Sequence, residues 1–283
     1  NDPEAYNANY AEMTEWGRKR LVSPGIILNG ELVTTDLVEM NVGVREFIGS
    51  GWYSSDWTQE VVTDPLGNAI AFEHPWNKRT IPAPGTYGNW ASKYSWVTAT
   101  RWWHWKGDGK NHVVELGPLA RMWITSKARL VPEATGSSIK FELPAALIPG
   151  FKYAEKMQFE WKIPEKPNAV ERIRARAYYH AYSAYCAINM VLNALDLMKA
   201  GKTEVWTHYE KPEEGIGVGM IEAMRGGCWH WCVMKKGVIH NYQYHAPTTW
   251  NASCRDPDGN PGPFEEALIQ TPITETGEAA DWK

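Results

Sequence analysis

The order of apolar and polar positions divides the chain into three stretches with different periods. Between Gly25 and about Leu130, short β-prone runs such as "GIILNGELVTTDLVEMNVG", "NAIAFEHPW" and "YSWVTATRWWHW" are separated by Gly, Pro and Asn-Gly punctuation. That pattern predicts strands and loops. Asn29-Gly30 predicts a hairpin, because a two-residue type I′ turn needs both residues at positive φ. The period then lengthens. From Asn168, "AVERIRARAYYHAYSAYCAINMVLNALDLMKAG" places Ala177, Ala181, Ala184 and Ile188 at helical spacing. Asn168 is set as N-cap, Glu171 to complete a capping box and Gly201 to end the helix. Such a helix has about 30 residues and spans about 45 Å. With Tyr178, Tyr185, Leu192 and Leu195 its middle is apolar nearly all round, which predicts burial on several sides. Arg172, Arg174 and Arg176 crowd the first turns, where the helix dipole disfavours cations, so either carboxylates or carbonyls from elsewhere answer them or this end is a solvated charged one. After Glu213 the period shortens again. "CVMKKGVIHNYQYH" alternates around Lys236-Gly237 as a hairpin does, and "PDGNPGP" is turn chemistry. The expected fold class is α+β. Residues 1–164 form a strand- and loop-rich part and residues 165–283 a long buried helix plus a hairpin-containing part, with no linker that separates them into two domains.

Composition narrows the partners. Lys and Arg total 29 against 33 Asp and Glu among 283 residues, without a basic tract of the kind that neutralises phosphates, so nucleic acid is set aside. No run of 18 apolar residues occurs and the first residues lack a secretion-signal layout, so a soluble, cytoplasmic protein is expected. Four cysteines, Cys186, Cys228, Cys232 and Cys254, are too few and too uneven for a disulfide framework. The 16 tryptophans are in excess, and an amphipathic ring favours interfaces, so a subunit of a larger assembly is expected.

Three features invite a chemical reading. Cys228, His230 and Cys232 alternate, so on a strand they share one face. That set could begin a zinc site, but a fourth ligand would have to be His240 or His245 from across the hairpin, and small buried thiols are the simpler account. Asn251-Ala252-Ser253 matches a glycosylation acceptor only formally, and "GIGVG" at Gly215–Gly219 lacks the Lys-Ser/Thr of a phosphate loop.

Taken in order, "HPWNKRTIP", "KYSWV", "GPLARM" at Gly117–Met122, "NAVERIRARAYY", "EGIGVGMIEAMRGGCWHW" and "KKGVIHNYQYHAPTTWNASCRDPDGNPGPFEEALIQTPI" resemble the middle and C-terminal half of the large subunit of nickel-iron hydrogenases. "SPGIILNGELVTTDLVEMNVGVRE" resembles the actinobacterial-type, high-affinity uptake branch. The resemblance implies a hydrogenase large-subunit fold and reversible oxidation of H2 to protons and electrons. It also implies a nickel-iron centre, its iron carrying carbon monoxide and two cyanides, held by four thiolates from two Cys-x-x-Cys motifs. Neither motif is present, and none of the four cysteines matches a ligand position. The thiolates are therefore expected from other polypeptides, as in a split large subunit. Electrons are expected to leave through iron-sulfur clusters of a small subunit, and any membrane association to come through such partners.

What the resemblance does place in this chain is the surround of that centre. Arg225 matches the arginine that hangs over the open face of the metals and bonds one cyanide. Thr248 matches the hydroxyl residue that bonds the other, and Pro247 its neighbour bordering the pocket. Tyr244 matches a residue whose backbone carbonyl binds a magnesium-like ion, the remaining ligands of which belong to the absent motifs. A fixed guanidinium and a hydroxyl satisfy an anionic acceptor in a dry cavity without competing for the metal. A guanidinium keeps its proton at neutral pH, so an electrostatic and positioning role is expected for Arg225 rather than that of a base. The sequence departs from the family at Met224, where proline is usual, and at Gly227-Cys228, where a small residue and leucine are usual. Cys228 could stand near the iron pocket as an oxidisable thiol or simply pack there. The alternative reading is a non-catalytic, hydrogenase-like docking subunit.

Overall fold

The computed structural model describes residues 9–50, 59–77, 97–145, 155–206, 210–255 and 259–269. "KRTIP" after Asn77, "KYSW" before Val97 and Asp256–Asp258 of the turn-rich segment lie outside them. In chain order the elements are α1 (Met13–Arg18), β1 (Ile26–Leu28), β2 (Glu31–Thr34), α2 (Leu37–Val42), β3 (Val44–Ser50), β4 (Val97–Trp103), β5 (Asn111–His112) and α3 (Pro118–Ala128). Then come β6 (Ser138–Leu143), β7 (Met157–Lys162), α4 (Ala169–Lys199), β8 (Gly215–Ala223), β9 (Gly226–Lys235), β10 (Val238–His245), α5 (Pro247–Asn251) and α6 (Pro263–Leu268). The strands pair antiparallel as β1-β2, β3-β4-β5, β6-β7 and β10-β9-β8, an α+β arrangement.

Both hairpin turns stand where the sequence puts them. Asn29 and Gly30 have φ of 51° and 82° between β1 and β2, and Lys236 and Gly237 have 52° and 69° between β9 and β10. Helices α2 and α3 correct the expectation of strand and loop alone between Gly25 and Leu130. The six residues of α2 are all buried, so no polar face marks its period; its one signal is Asp36, whose carboxylate accepts from Val38 N at 2.8 Å. α3 starts from Gly117 at φ 138° with Pro118 at its first position, a start signal for a helix.

One core joins α2 and β3 to the C-terminal sheet through Leu37, Val44, Trp76, Trp102, Trp229, Trp231 and Trp250. A second packs Leu119 and Met122 of α3, Phe141 and Trp161 of the β6-β7 pair, and Tyr182 and Cys186 of α4. Trp76, Trp102, Trp161, Trp231 and Trp250 are thus among the largest fully buried side chains. Much of the tryptophan excess is internal filling, and interfaces need not account for it. The Trp102 indole donates to Met40 O at 3.2 Å and that of Trp231 to Asn41 Oδ1 at 2.8 Å, so these rings bury their area without orphaning their N–H.

His74 is sealed in the same core. Its Nε2 lies 2.9 Å from Asn41 O, and its Nδ1 accepts from Trp76 N at 3.1 Å, so the neutral ring with its proton on Nε2 satisfies both neighbours. Burial pushes the imidazole down from 6.5 to about 3. A folded-state value below the unfolded one means the unfolded chain binds the proton first. The stability this group contributes is present above pH 6.5 and lost as pH falls toward 3, by about 1.4 kcal/mol per unit in that window. Denaturant midpoints measured from pH 7 to pH 4 are expected to fall, and His74→Leu, though weaker at pH 7, to show a shallower slope.

α4 has its predicted ends. Asn168 Oδ1 accepts from Glu171 N at 2.9 Å, the helix runs 31 residues, and Gly201 follows at φ 80°. Two of the three arginines at its start are answered by other groups: Arg172 Nε and NH2 donate to the two Glu115 oxygens at 2.9 and 2.8 Å, and Arg174 NH2 donates to Lys162 O at 2.8 Å, while Arg176 is exposed. The expected burial on several sides is corrected in part. Only Ala175, Tyr182 and Cys186 are buried, whereas Val191 at 59 %, Leu192 at 54 %, Leu195 at 46 % and Met198 at 59 % are exposed. The apolar girth is real, but most of its second half is exposed. Among the described residues no helix is long and apolar enough to cross a membrane.

Candidate functional site

Arg225 sits at the tip of the β8-β9 hairpin, with Ala223 paired to Gly226, and its side chain is exposed. The turn is held from below. Gly226 has φ 138°, and a Cβ there would come within 2.8 Å of Leu116 Cβ and 3.1 Å of Gly117 N, so only glycine lets the hairpin lie on the start of α3. Arg121, one turn into α3, donates from Nε to Glu222 Oε2 at 2.6 Å and from NH2 to Ala223 O at 2.6 Å. Its guanidinium also lies 4.3 Å from the Tyr179 ring centroid. The strand leading to Arg225 is therefore fixed by charge-assisted bonds rather than by the turn alone.

The second part of the site leaves β10 at the same end of the sheet. His245 is paired with Trp229, and after Ala246 the chain turns into α5 with Pro247 at its first position. Pro247 is buried and Thr248 exposed. Asn251 closes this short helix against the same Leu116: its Oδ1 accepts from Leu116 N at 2.8 Å and its Nδ2 donates to Leu116 O at 2.9 Å. Leu116-Gly117 is thus gripped on one side by Asn251 and packed on the other by Gly226. This junction brings the Arg225 turn and the Pro247-Thr248 helix to one edge. Both amide groups of Asn251 are engaged there, which gives it a structural task in place of the formal glycosylation match.

A buried polar cluster lies beneath α5. His245 Nε2 and Glu46 Oε2 are 2.6 Å apart with side chains 1 % and 0 % exposed, Gln243 Nε2 donates to the same oxygen at 2.5 Å, and Thr100 Oγ1 lies 3.0 Å from His245 Nδ1. Trp231 and Trp250 stand edge-on to the His245 ring at 5.2 and 6.3 Å. Sequence reasoning did not find this network. The alternation of β10 put His245 on the inward face, but its partner lies 199 positions away. Nor did it assign Arg121 a role; an arginine on the buried side of an apolar helix was the available signal.

Tyr244 is exposed in β10, its ring stacked on His230 at 5.8 Å. Cys228, His230 and Cys232 do share the outer face of the sheet, as alternation requires. Cys228 Sγ is 3.5 Å from His230 Nε2, and His230 Nδ1 is 2.5 Å from the Tyr242 hydroxyl. Burial pushes the Cys186 thiol up to about 11 and the Cys232 thiol up from its ordinary value. Cys186 lies in the second core and Cys254 is exposed beyond α5. Among the described residues no cysteine joins a group of three or more metal-ligating side chains. A thiolate-held metal does not fit on these cysteines. An exposed guanidinium and an exposed hydroxyl at a braced edge fit the rim of such a centre.

Comparison with known proteins shows the family and the fold. The family model for nickel-dependent hydrogenases matches residues 4–281, and the chain belongs to that family. It is 30 % identical to the uptake hydrogenase large subunit of Afipia carboxidovorans over 88 % of this chain and 40 % of that protein. Against the hydrogenase-1 large chain of Escherichia coli K12 it is 30 % identical over 91 % of this chain and 41 % of the other. Among solved structures, the actinobacterial-type NiFe-hydrogenase from Ralstonia eutropha H16 superposes with a TM-score of 0.82 at 42 % identity, covering 93 % of this chain and 47 % of that one. The Ni-Fe-Se hydrogenase from Desulfovibrio vulgaris Hildenborough, at 23 % identity and a TM-score of 0.55, shares the fold. The chain corresponds to a portion of the large subunit and spans less than half the length of these relatives.

Proposed function

We propose that this chain is the middle and C-terminal portion of an uptake-type nickel-iron hydrogenase large subunit and that it supplies the polar surround of the metal centre for H2 oxidation. The observation that carries the reading is the Leu116-Gly117 junction, which braces the Arg225 hairpin and the Pro247-Thr248 helix against one edge. The nickel-iron centre, when bound, supplies the redox chemistry. With that centre in place, Arg225 would set a positive charge beside it and would donate to one of its cyanides. Thr248 would donate to the second, Pro247 would wall the pocket, and the Tyr244 carbonyl would be a ligand for a magnesium ion. Residues 1–164 and 165–283 act together as one large-subunit unit.

The thiolates come in this proposal from large-subunit segments outside these 283 residues. An iron-sulfur small subunit takes the electrons, and the enzyme is cytoplasmic, meeting the membrane only through its partners. The exposed apolar half of α4 is consistent with this, since a face carrying Val191, Leu192, Leu195 and Met198 is costly to leave in water and the relatives have more than twice the chain with which to cover it. Four-thiolate ligation makes metal content the test. Elemental analysis is expected to find about one nickel per large subunit in the assembled enzyme, and the isolated chain loaded with Ni2+ is expected to show no thiolate-to-nickel charge-transfer band. Thiolate-held nickel on the isolated chain contradicts the proposal. An assembled complex without nickel favours instead a docking subunit that uses the same apolar face.

A further inference from the structure

We propose that the loop joining β4 to β5 binds one divalent cation of the zinc class through His104, Asp108 and His112. A nitrogen from each imidazole and a carboxylate oxygen all lie within 4.8 Å of one another, the one such group among the described residues. Two imidazoles and a carboxylate form a ligand set that suits zinc and its neighbours and leaves a fourth position to water.

The loop is built so that these three side chains converge. His104 N donates to Lys110 O at 3.1 Å, while His104 O accepts from Gly107 N at 3.0 Å and from Gly109 N at 3.1 Å, which folds the segment back on itself. A Cβ at Gly107 would overlap the His104 ring, and Gly109 has φ 66°, so the glycines make room for the imidazole and for the turn. The ring is pinned from the other side by Trp102, stacked at 5.3 Å, and the Trp103 indole donates to Gly109 O at 2.8 Å. Asp108 Oδ1 accepts from Lys110 N at 3.0 Å and lies 3.0 Å from His112 Nε2, while His112 is paired with Trp102 across the strands. Preorganisation of this kind lowers the cost of gathering ligands.

In a tetrahedral zinc site, donor atoms about 2.0 to 2.1 Å from the metal stand about 3.3 Å apart. The Asp108–His112 pair, at 3.0 Å, is already near that spacing, and the His104 nitrogen lies within 4.8 Å of both. Lys106 does not oppose the cation, since its ammonium is drawn to Glu39 at 3.6 Å and to the Trp105 ring at 4.7 Å. Asp108 and His112 also line a cleft of about 850 Å³, so the fourth position opens onto space that water or another donor reaches. The bland alternative is a surface ion pair between Asp108 and His112 with a stacked His104, which binds no metal.

Titration calorimetry of the chelator-treated 283-residue chain with Zn2+ distinguishes the two. One cation per chain is expected. His104→Asn and His112→Asn should each weaken binding by about a hundredfold or more, beyond the roughly 10- to 100-fold that losing an outer hydrogen bond to a ligand costs. Asp108→Asn, on the exposed turn, should do the same without disturbing the stacked ring, and Cys228→Ser should change nothing. The Co2+ form should show no thiolate charge-transfer band. Absence of binding, binding that survives the His104→Asn/His112→Asn pair, or binding lost in Cys228→Ser overturns the proposal.

Discussion

Replacing Arg225 by lysine is expected to lower hydrogen oxidation by the assembled enzyme about a hundredfold or more, the scale of losing one preorganised electrostatic group. The exposed side chain at the hairpin tip is not what holds the turn. Gly226 against Leu116 and the Arg121 bonds to Glu222 and Ala223 do that. Folding and metal content are therefore expected to stay close to wild type. Lysine keeps the charge but is a point donor on a flexible stem, so it cannot present two N–H groups in one plane to the open metal face and to a cyanide together. If charge alone mattered, the loss would be slight. Hydrogen-dependent dye reduction, read with the infrared bands of the iron-bound diatomic ligands, checks this. Near-normal activity with unshifted cyanide bands would place Arg225 away from the metals and remove the basis of the proposed function.

What the sequence revealed follows from the range over which each signal acts. Asn29-Gly30, Lys236-Gly237, the Asn168 cap and Gly201 are local signals, because a turn at positive φ or a capped first turn is decided by a few neighbours. The short buried helix α2 was not legible, since six residues that all face inward show no period. The extent of α4 was readable but its burial was not. An apolar girth says that a helix wants cover, not which chain provides it. For the site, Arg225, Pro247 and Thr248 came from motif resemblance. Their convergence depends on Asn251 reaching Leu116 across 135 positions, which no spacing rule exposes. The His104–Asp108–His112 group is local in sequence, but its convergence needs the folded-back loop and the stacked Trp102 to be seen.

The pair beneath α5 gives the largest expected effect on stability. Glu46 and His245 are buried together with 2.6 Å between Oε2 and Nε2, and Gln243 holds the same oxygen. His245→Leu leaves an interior carboxylate short of a polar partner at 2.6 Å, and removing one member of such a pair costs about 3 kcal/mol or more. For a chain of this size that lowers the thermal midpoint by on the order of 10 °C. Replacing both residues by leucine removes the desolvated charge along with its partner, so Glu46→Leu/His245→Leu is expected to be more stable than His245→Leu alone. The two single losses added together should exceed the loss in the double variant. Because His245 is two residues before Pro247 and lies against Trp250 of the same helix, the single variant should also loosen Thr248 and lower activity in the assembled enzyme at temperatures where the fold persists. The double variant should recover stability faster than activity, because leucine packs but does not bond Thr100 Oγ1 as His245 Nδ1 does at 3.0 Å. Additive losses in the two single variants would show that the residues do not act as a pair, and equal recovery of stability and activity would show that the cluster does not position α5.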